Sequence, residues 1–347
     1  MSTLRISARG GRRIFDATNE TKRGNMLSRR HLIAAGAAVA LGAPAVVRAQ
    51  KFPSGRVTIV VPFPPGAATD ISARIYAERL AALWGQPVVI DNKGGGNGIP
   101  AAESVARAKP DGLTIFATSA MTQAVNPAIY DKLPYDPIAD FAPITRMGTS
   151  PFVLLVDAKS PIRTAAELTA KLKAEPGKHN YGAGALPARV ASELYKMAAG
   201  VEAVYVGYKS NPQAIPDVQS GLLTFMMIDT VNAKLAMDRG ALKGLFVTDS
   251  ERYAAVPGMP TAAEAGLPEV LLTTWTGFYA PKGTPGELVQ KINADFHTVA
   301  AMPDVLERLA AIGGVPKLMS PGEFDAFTRS EKERWGKIIR RANIKVE

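Results

Sequence analysis

Short β-branched runs alternate with amphipathic segments from Arg56 onward, and this alternation most limits what the chain can fold into. Arg56-Val57-Thr58-Ile59-Val60-Val61 ends at Pro62 and reads as a buried strand. A Pro/Gly turn follows from Phe63 to Asp70, after which Ile71, Ile75, Leu80 and Leu83 predict a helix. Pro87–Asp91 reads as a second strand, Ala101–Ala108 as a helix and Leu113–Ala117 as a third strand. A β-α-β-α-β series of this kind predicts a parallel sheet with helices on its faces. The pattern continues through helices at 167–173, 188–199 and 231–239 and strands at 180–182, 203–206, 225–228 and 244–247. Ser320-Pro321-Gly322-Glu323 has the form of a capping box. Phe324, Phe327, Trp335, Ile338 and Ile339 follow at helical spacing as a core-packing stripe. No short repeat or low-complexity linker divides the chain into consecutive domains.

The N-terminal segment reads as an export signal. Ser28-Arg29-Arg30-His31-Leu32-Ile33 opens a twin-arginine leader, with an apolar stretch from Leu32 to Val47 and a small-x-Ala site at Val47-Arg48-Ala49. A membrane anchor is the competing reading; spanning needs about 20 apolar residues, and this run is shorter and rich in Ala and Gly. Met26 would set the arginine pair close to the start, so residues 1–25 are expected to precede the true initiation site. Cleavage is expected after Ala49, giving a periplasmic protein beginning at Gln50. Residues 1–49 carry nine Lys/Arg against Asp16 and Glu20, a net of +7, whereas the whole chain is +10. The remainder is therefore only +3, which removes the case for nucleic-acid binding.

The chain has no cysteine, so disulfides, thiolate metal sites and Cys nucleophiles are excluded. The roughly 300 residues after Ala49 suffice for a full core and two α/β lobes. His179 and His297 are far apart, there is no Gly-x-Ser-x-Gly elbow, and no cluster has metal-ligand spacing. No enzyme, cofactor or metal is expected.

Two loops are candidate sites. In the turn Pro62–Asp70, a strand running into a helix start leaves backbone N–H groups open to an anion such as a carboxylate. Thr69 and Asp70 can cap the helix or touch the ligand; the plain alternative is an ordinary β-α turn with Asp70 as N-cap. The glycine-rich segment Asn92–Ile99 has neither the Lys-Ser/Thr of a P-loop nor dinucleotide-fold spacing, and reads as a tight turn.

An ordered series of blocks resembles one family. Val60-Val61-Pro62-Phe63-Pro64-Pro65-Gly66 with Thr69-Asp70 is similar to the Pro-Phe-Pro-Pro-Gly-Gly-x-Thr-Asp loop of the tripartite tricarboxylate transporter receptors, the Bug family. Gly85–Asn92, Lys109–Thr114, Asn126–Tyr130, Leu133–Pro137 and Asp140–Pro143 continue the likeness in order. Val247-Thr248, Pro257–Thr261, Trp275–Gly277 and Ala280–Pro285 extend it, so it covers essentially all of Gln50–Glu347.

The resemblance implies a type II-like periplasmic-binding-protein fold of two α/β lobes joined by two crossing strands, with the ligand cleft between them. The crossings are expected near Pro151–Val156 and Thr274–Ala280, giving lobe one as 50–150 plus 277–347 and lobe two as 157–272. It also implies a monomer, a small organic carboxylate as ligand and membrane transporter subunits as partners. A ligand-responsive partner of a sensor protein is the alternative role. By family position Phe63, Gly66, Ala67, Ala68, Thr69 and Asp70 are carried over, with Thr118, Ser119 and Ala120 after the third strand and Asp229 after Phe225–Ile228.

Departures fall at Ala67, where the family has Gly, and along the second lobe's ligand-facing edge. There the loop Ala183–Ala188, including Ala185, is shorter than the family's, Arg189 takes the place of a His, and Tyr208 follows a Gly where the family has Pro. Arg189 is expected either to meet a distal anionic group or, as the plain alternative, to face solvent or pair with Glu193.

Overall fold

The β-branched run after Arg56 forms β1 (Val57–Val61), an interior strand with Val57, Ile59 and Val61 fully buried. The computed structural model describes residues 52–341 and 344, so the leader, the Met26 start and the cut after Ala49 lie outside the described residues. Next come α1 (Ala68–Trp84), β2 (Val88–Asn92), a 3₁₀ turn at Gly96–Gly98, α2 (Ile99–Ala106) and β3 (Thr114–Ser119). A π-turn at Met121–Val125 runs into the short α3 (Asn126–Ile129), and the 17-residue β4 (Phe141–Asp157) follows. The second lobe alternates α4 (Ala165–Ala174), β5 (Asn180–Ala183), α5 (Leu186–Ala199), β6 (Val204–Gly207), α6 (Asn211–Gln219), β7 (Phe225–Asp229), α7 (Thr230–Asp238) and β8 (Leu242–Val247). The chain returns through β9 (Thr273–Pro281) and finishes with α8 (Gly286–Ala300), α9 (Pro303–Ala311) and α10 (Pro321–Arg341).

The strands run in the order β2-β1-β3-β9-β4-β7-β5-β6, with β8 on β4. β1 is parallel to β2 and β3, and β5 is parallel to β6 and β7, as βαβ units require. β4 joins the two halves. It pairs with β9 from Phe141↔Pro281 to Pro151↔Thr273, then with β7 from Phe152↔Asp229 and with β8 from Val153↔Val247. The change of partner falls at Pro151–Phe152, where Pro151 has no N–H to give a ladder and Phe152 N–H donates to Thr248 Oγ1 at 2.8 Å. β9 pairs with β4 from Thr273 to Pro281 and with β3 from Thr276 to Tyr279.

The capping box forms as its residues predict: Ser320 N–H and Oγ–H donate to Glu323 Oε2 at 2.9 and 2.7 Å. α10 then buries Phe324, Trp335 and Ile339, with Phe324 against Tyr279 (ring centroids 4.8 Å apart). On the other face of the first-lobe sheet, α1 packs Tyr76 edge-on to Phe278 at 5.6 Å and tilted to Phe296 of α8 at 5.7 Å. Among the described residues no helix is long and apolar enough to cross a membrane.

Candidate functional site

A cavity of about 90 Å³ lies where the two lobes meet. Its first-lobe wall comes from Phe63, the start of α1 and Ser119 at the end of β3; its floor comes from Met147–Ser150 of β4 and Thr274 and Thr276 of β9. The second lobe adds the loops before α5, α6 and α7, and the segment Gly313–Pro316 borders the remaining side.

In the first wall, α1 begins at Ala68, three residues before the predicted start, and its N-cap is Ala67. Ala67 has φ −71°, open to any residue, so its methyl does not alter the turn; the left-handed position is Gly66, at φ +85°. Ala67 N–H bonds Pro64 O at 3.3 Å, while the Ala68 and Thr69 N–H groups find no acceptor among the described residues, and both residues line the cavity.

Asp70 is not the N-cap. It sits in the first turn and reaches back, with Oδ2 accepting from Gly66 N–H at 2.9 Å and Arg74 Nε at 3.1 Å. Its Oδ1 accepts from Asn92 Nδ2 at 2.9 Å and meets Arg74 Nη2 at 2.9 Å. The β1–β2 register Val61↔Asn92 brings Asn92 there, and Asn92 also donates to Phe63 O at 3.0 Å. Burial pushes the Asp70 pKa up, but the bonds from Arg74, Gly66 and Asn92 and the Arg74 charge outweigh it and hold the carboxyl below its usual value. Asp70 therefore braces the turn from behind.

The opposite wall is built from three further helix starts. Ala185 caps α5, Ser210 caps α6 and Asp229 caps α7, and all three line the cavity. They are tied together: Asn211 Oδ1 accepts from Gly184 N–H at 2.9 Å, and Asn211 Nδ2 donates to Asp229 Oδ2 at 3.4 Å. Asp229 also accepts from Asn232 N–H at 3.0 Å and Asn232 Nδ2 at 2.9 Å. Gly184 is required by the close approach of this loop to α6, because a Cβ there would lie 1.9 Å from the Ser210 carbonyl carbon. Ser150 of β4 bonds the Thr230 hydroxyl and accepts its N–H at 3.0 Å, fixing α7 to the crossing strand.

Among the described residues no Lys, Arg or His lines the cavity, and Asp229 is the only charged side chain there. Four helix starts thus face a largely apolar space in which the favourable charge for an anion is the partial charge of backbone N–H groups. Tyr76 OH and Thr274 Oγ1, both buried residues of the wall, have no hydrogen-bond partner. Burial raises the Tyr76 hydroxyl well above the usual tyrosine value, so it stays protonated.

Of the residues singled out from sequence, Phe63, Ala67, Ala68, Thr69, Ser119, Ala185 and Asp229 line the cavity. Gly66, Asp70, Thr118, Ala120, Arg189 and Tyr208 do not. The Thr118 hydroxyl pairs with that of Thr122 at 2.7 Å, and Ala120 is fully buried. Tyr208 donates to Asp217, away from the cavity. The Arg189 guanidinium lies over the Tyr205 ring, 4.4 Å from the centroid. Glu193 instead accepts from Tyr181 and pairs with Lys196 at 3.0 Å. The Asn92–Ile99 segment is a turn whose Asn97 donates to Tyr130 OH at 2.6 Å. Sequence reasoning missed Ser72, Tyr76, Asn211, Asn232 and the glycine pair Gly313-Gly314. Ser72 and Tyr76 stand three and seven residues after Thr69, which puts them on its helix face. His179 and His297 lie outside the cavity, and no group of three or more metal-binding side chains occurs among the described residues.

Two α/β lobes, a strand exchanged between their sheets and a cavity walled by helix starts from both define a two-lobed solute-binding protein. The family model described as "Tripartite tricarboxylate transporter family receptor" matches residues 72–344, and the chain belongs to that family. BugT of Bordetella pertussis is 31% identical over 310 residues, covering 88% of this chain and 95% of BugT. Among solved structures, R. palustris Rpa4515 with adipate matches at TM-score 0.82 and 32% identity, covering 85% of this chain and 99% of that one. MatC from Rhodopseudomonas palustris with bound malate matches at TM-score 0.77 and 31% identity, covering 83% and 100%.

Proposed function

We propose that the chain is a periplasmic receptor that captures a small organic carboxylate between its lobes and delivers it to a membrane transporter. The observation that carries this reading is the convergence of four helix starts on one cavity that contains no cationic side chain. A carboxylate at the start of α1 would take the open Ala68 and Thr69 N–H groups, and second-lobe helix starts would complete its surroundings when the lobes close. In this reading lobe one is 50–150 with 277–347 and lobe two is 157–272. Binding is non-covalent and the protein acts as a monomer without catalysis. Micromolar affinity corresponds to about −8 kcal/mol. A few charge-assisted hydrogen bonds of roughly 1.5–3 kcal/mol each, with apolar contact, reach that without a metal. Adipate and malate, found on relatives about one-third identical, support a carboxylate ligand for this chain. A thermal-shift screen of straight-chain mono- and dicarboxylates, with their hydroxy and keto derivatives, tests it. At least one acid should raise the melting temperature with a saturating dose response, whereas no response across the panel overturns the reading.

A further inference from the structure

Two hydroxyls of the cavity wall have nothing to bond. Tyr76 is completely buried, and its ring is held by Phe278 and Phe296 at 5.6 and 5.7 Å, contacts that a phenylalanine would make equally well. Tyr76 nevertheless borders the cavity with its buried OH unpartnered, and Thr274 of the floor has an unpartnered, buried Oγ1. Buried polar atoms in folded proteins are nearly always bonded, so two such atoms in one cavity wall indicate a partner that arrives from outside the chain. Tyr76 also shares a face of α1 with Thr69 and Ser72, which places a row of hydroxyls behind the open N–H groups of the helix start.

We infer that Tyr76 and Thr274 form a second polar subsite, which takes an uncharged oxygen, a hydroxyl or carbonyl, carried by the acid whose carboxylate sits at the start of α1. The inference rests on the carboxylate reading and narrows it to hydroxy- and keto-acids. The absence of cations selects an uncharged group, because one phenol and one alcohol cannot offset the dehydration of a second carboxylate. A protonated phenol can donate to such an oxygen, and the threonine hydroxyl can donate or accept.

Isothermal titration of the native protein and Tyr76→Phe with three matched pairs tests this: malate and succinate, 2-oxoglutarate and glutarate, 4-hydroxybutyrate and butyrate. The native protein should bind the oxygenated member of at least one pair about tenfold or more tighter, the scale of one hydrogen bond to a buried group. Tyr76→Phe should bring that ratio to about one while leaving the plain acid unchanged. Equal weakening of both members, no change in either, or a native preference for the plain acids overturns the inference. Binding of none of the six acids by the native protein overturns the inference, whereas the carboxylate reading itself fails only when the wider acid panel gives no response. Unfolding of Tyr76→Phe would show in its circular dichroism, in which case Thr274→Val carries the same comparison.

Discussion

Replacing Asp70 by Asn keeps the side chain's shape and removes its ability to accept on both oxygens. Oδ2 now takes Gly66 N–H and Arg74 Nε, and Oδ1 takes Asn92 Nδ2 and Arg74 Nη2, all at 2.9–3.1 Å. An asparagine presents one acceptor and one NH₂, so either orientation sets a donor against two donors. Arg74 is half exposed and Gly66 is exposed, so their donors can turn to water, while the partly buried Asn92 amide loses a carboxylate acceptor. Loss of one such hydrogen bond costs about 0.5–1.5 kcal/mol, and loss of the ion pair adds up to about 1, for a total of about 0.5–2.5 kcal/mol. At about 2 °C per kcal/mol for a chain of this size, the melting temperature should fall by roughly 1–5 °C. The pH dependence has a definite sign. The Asp70 pKa is depressed in the folded state, so its contribution is full above the unfolded value of 3.8 and is lost as pH falls through the folded value. Urea unfolding should therefore show the gap between native and Asp70→Asn at about pH 7 and a narrower gap near pH 3. Equal stability at neutral pH, or a gap that does not change on acidification, would refute the assignment of Asp70 as the brace of the turn.

Gly184→Ala drives a methyl into the backbone at Ser210–Asn211, where contacts of 1.9–2.3 Å cannot be relieved by a side-chain rotation. It should unfold the protein or displace the start of α6, lowering acid affinity at least about tenfold in titration. Arg189→Ala loses the stacking on Tyr205, which should cost about 0.5–2 kcal/mol in urea unfolding, with acid affinity changed by less than about twofold because Arg189 is not in the cavity wall.

The sequence made the candidate anion-binding turn visible because strand, Pro/Gly turn and helix follow one another within a few residues. Its anatomy was harder to read. Helical periodicity starts at Ile71, but the helix itself starts at Ala68, since the first turn carries Ala, Thr and a backward-reaching Asp rather than apolar residues. The Asp70–Asn92 contact depends on the parallel register of β1 and β2, which no local pattern specifies. α6 contains Pro212 and Pro216, which read as breakers although the first sits in the opening turn. Arg189 and Glu193 have the spacing of an ion pair, but tertiary packing gives Glu193 to Tyr181 and Lys196. Tyr76 packs between Phe278 and Phe296 like any core residue, and only the folded structure reveals that its hydroxyl lacks a partner.

The central claim is that backbone N–H groups at helix starts, without a cationic side chain, hold the carboxylate of the ligand. A crystal structure of the protein with the tightest acid from the thermal-shift panel tests it most directly. The account predicts a carboxylate oxygen within about 3 Å of the Ala68 or Thr69 N–H, the ordinary N–H···O distance. A bound acid whose carboxylate instead pairs with a Lys or Arg side chain, leaving the start of α1 empty, would contradict it.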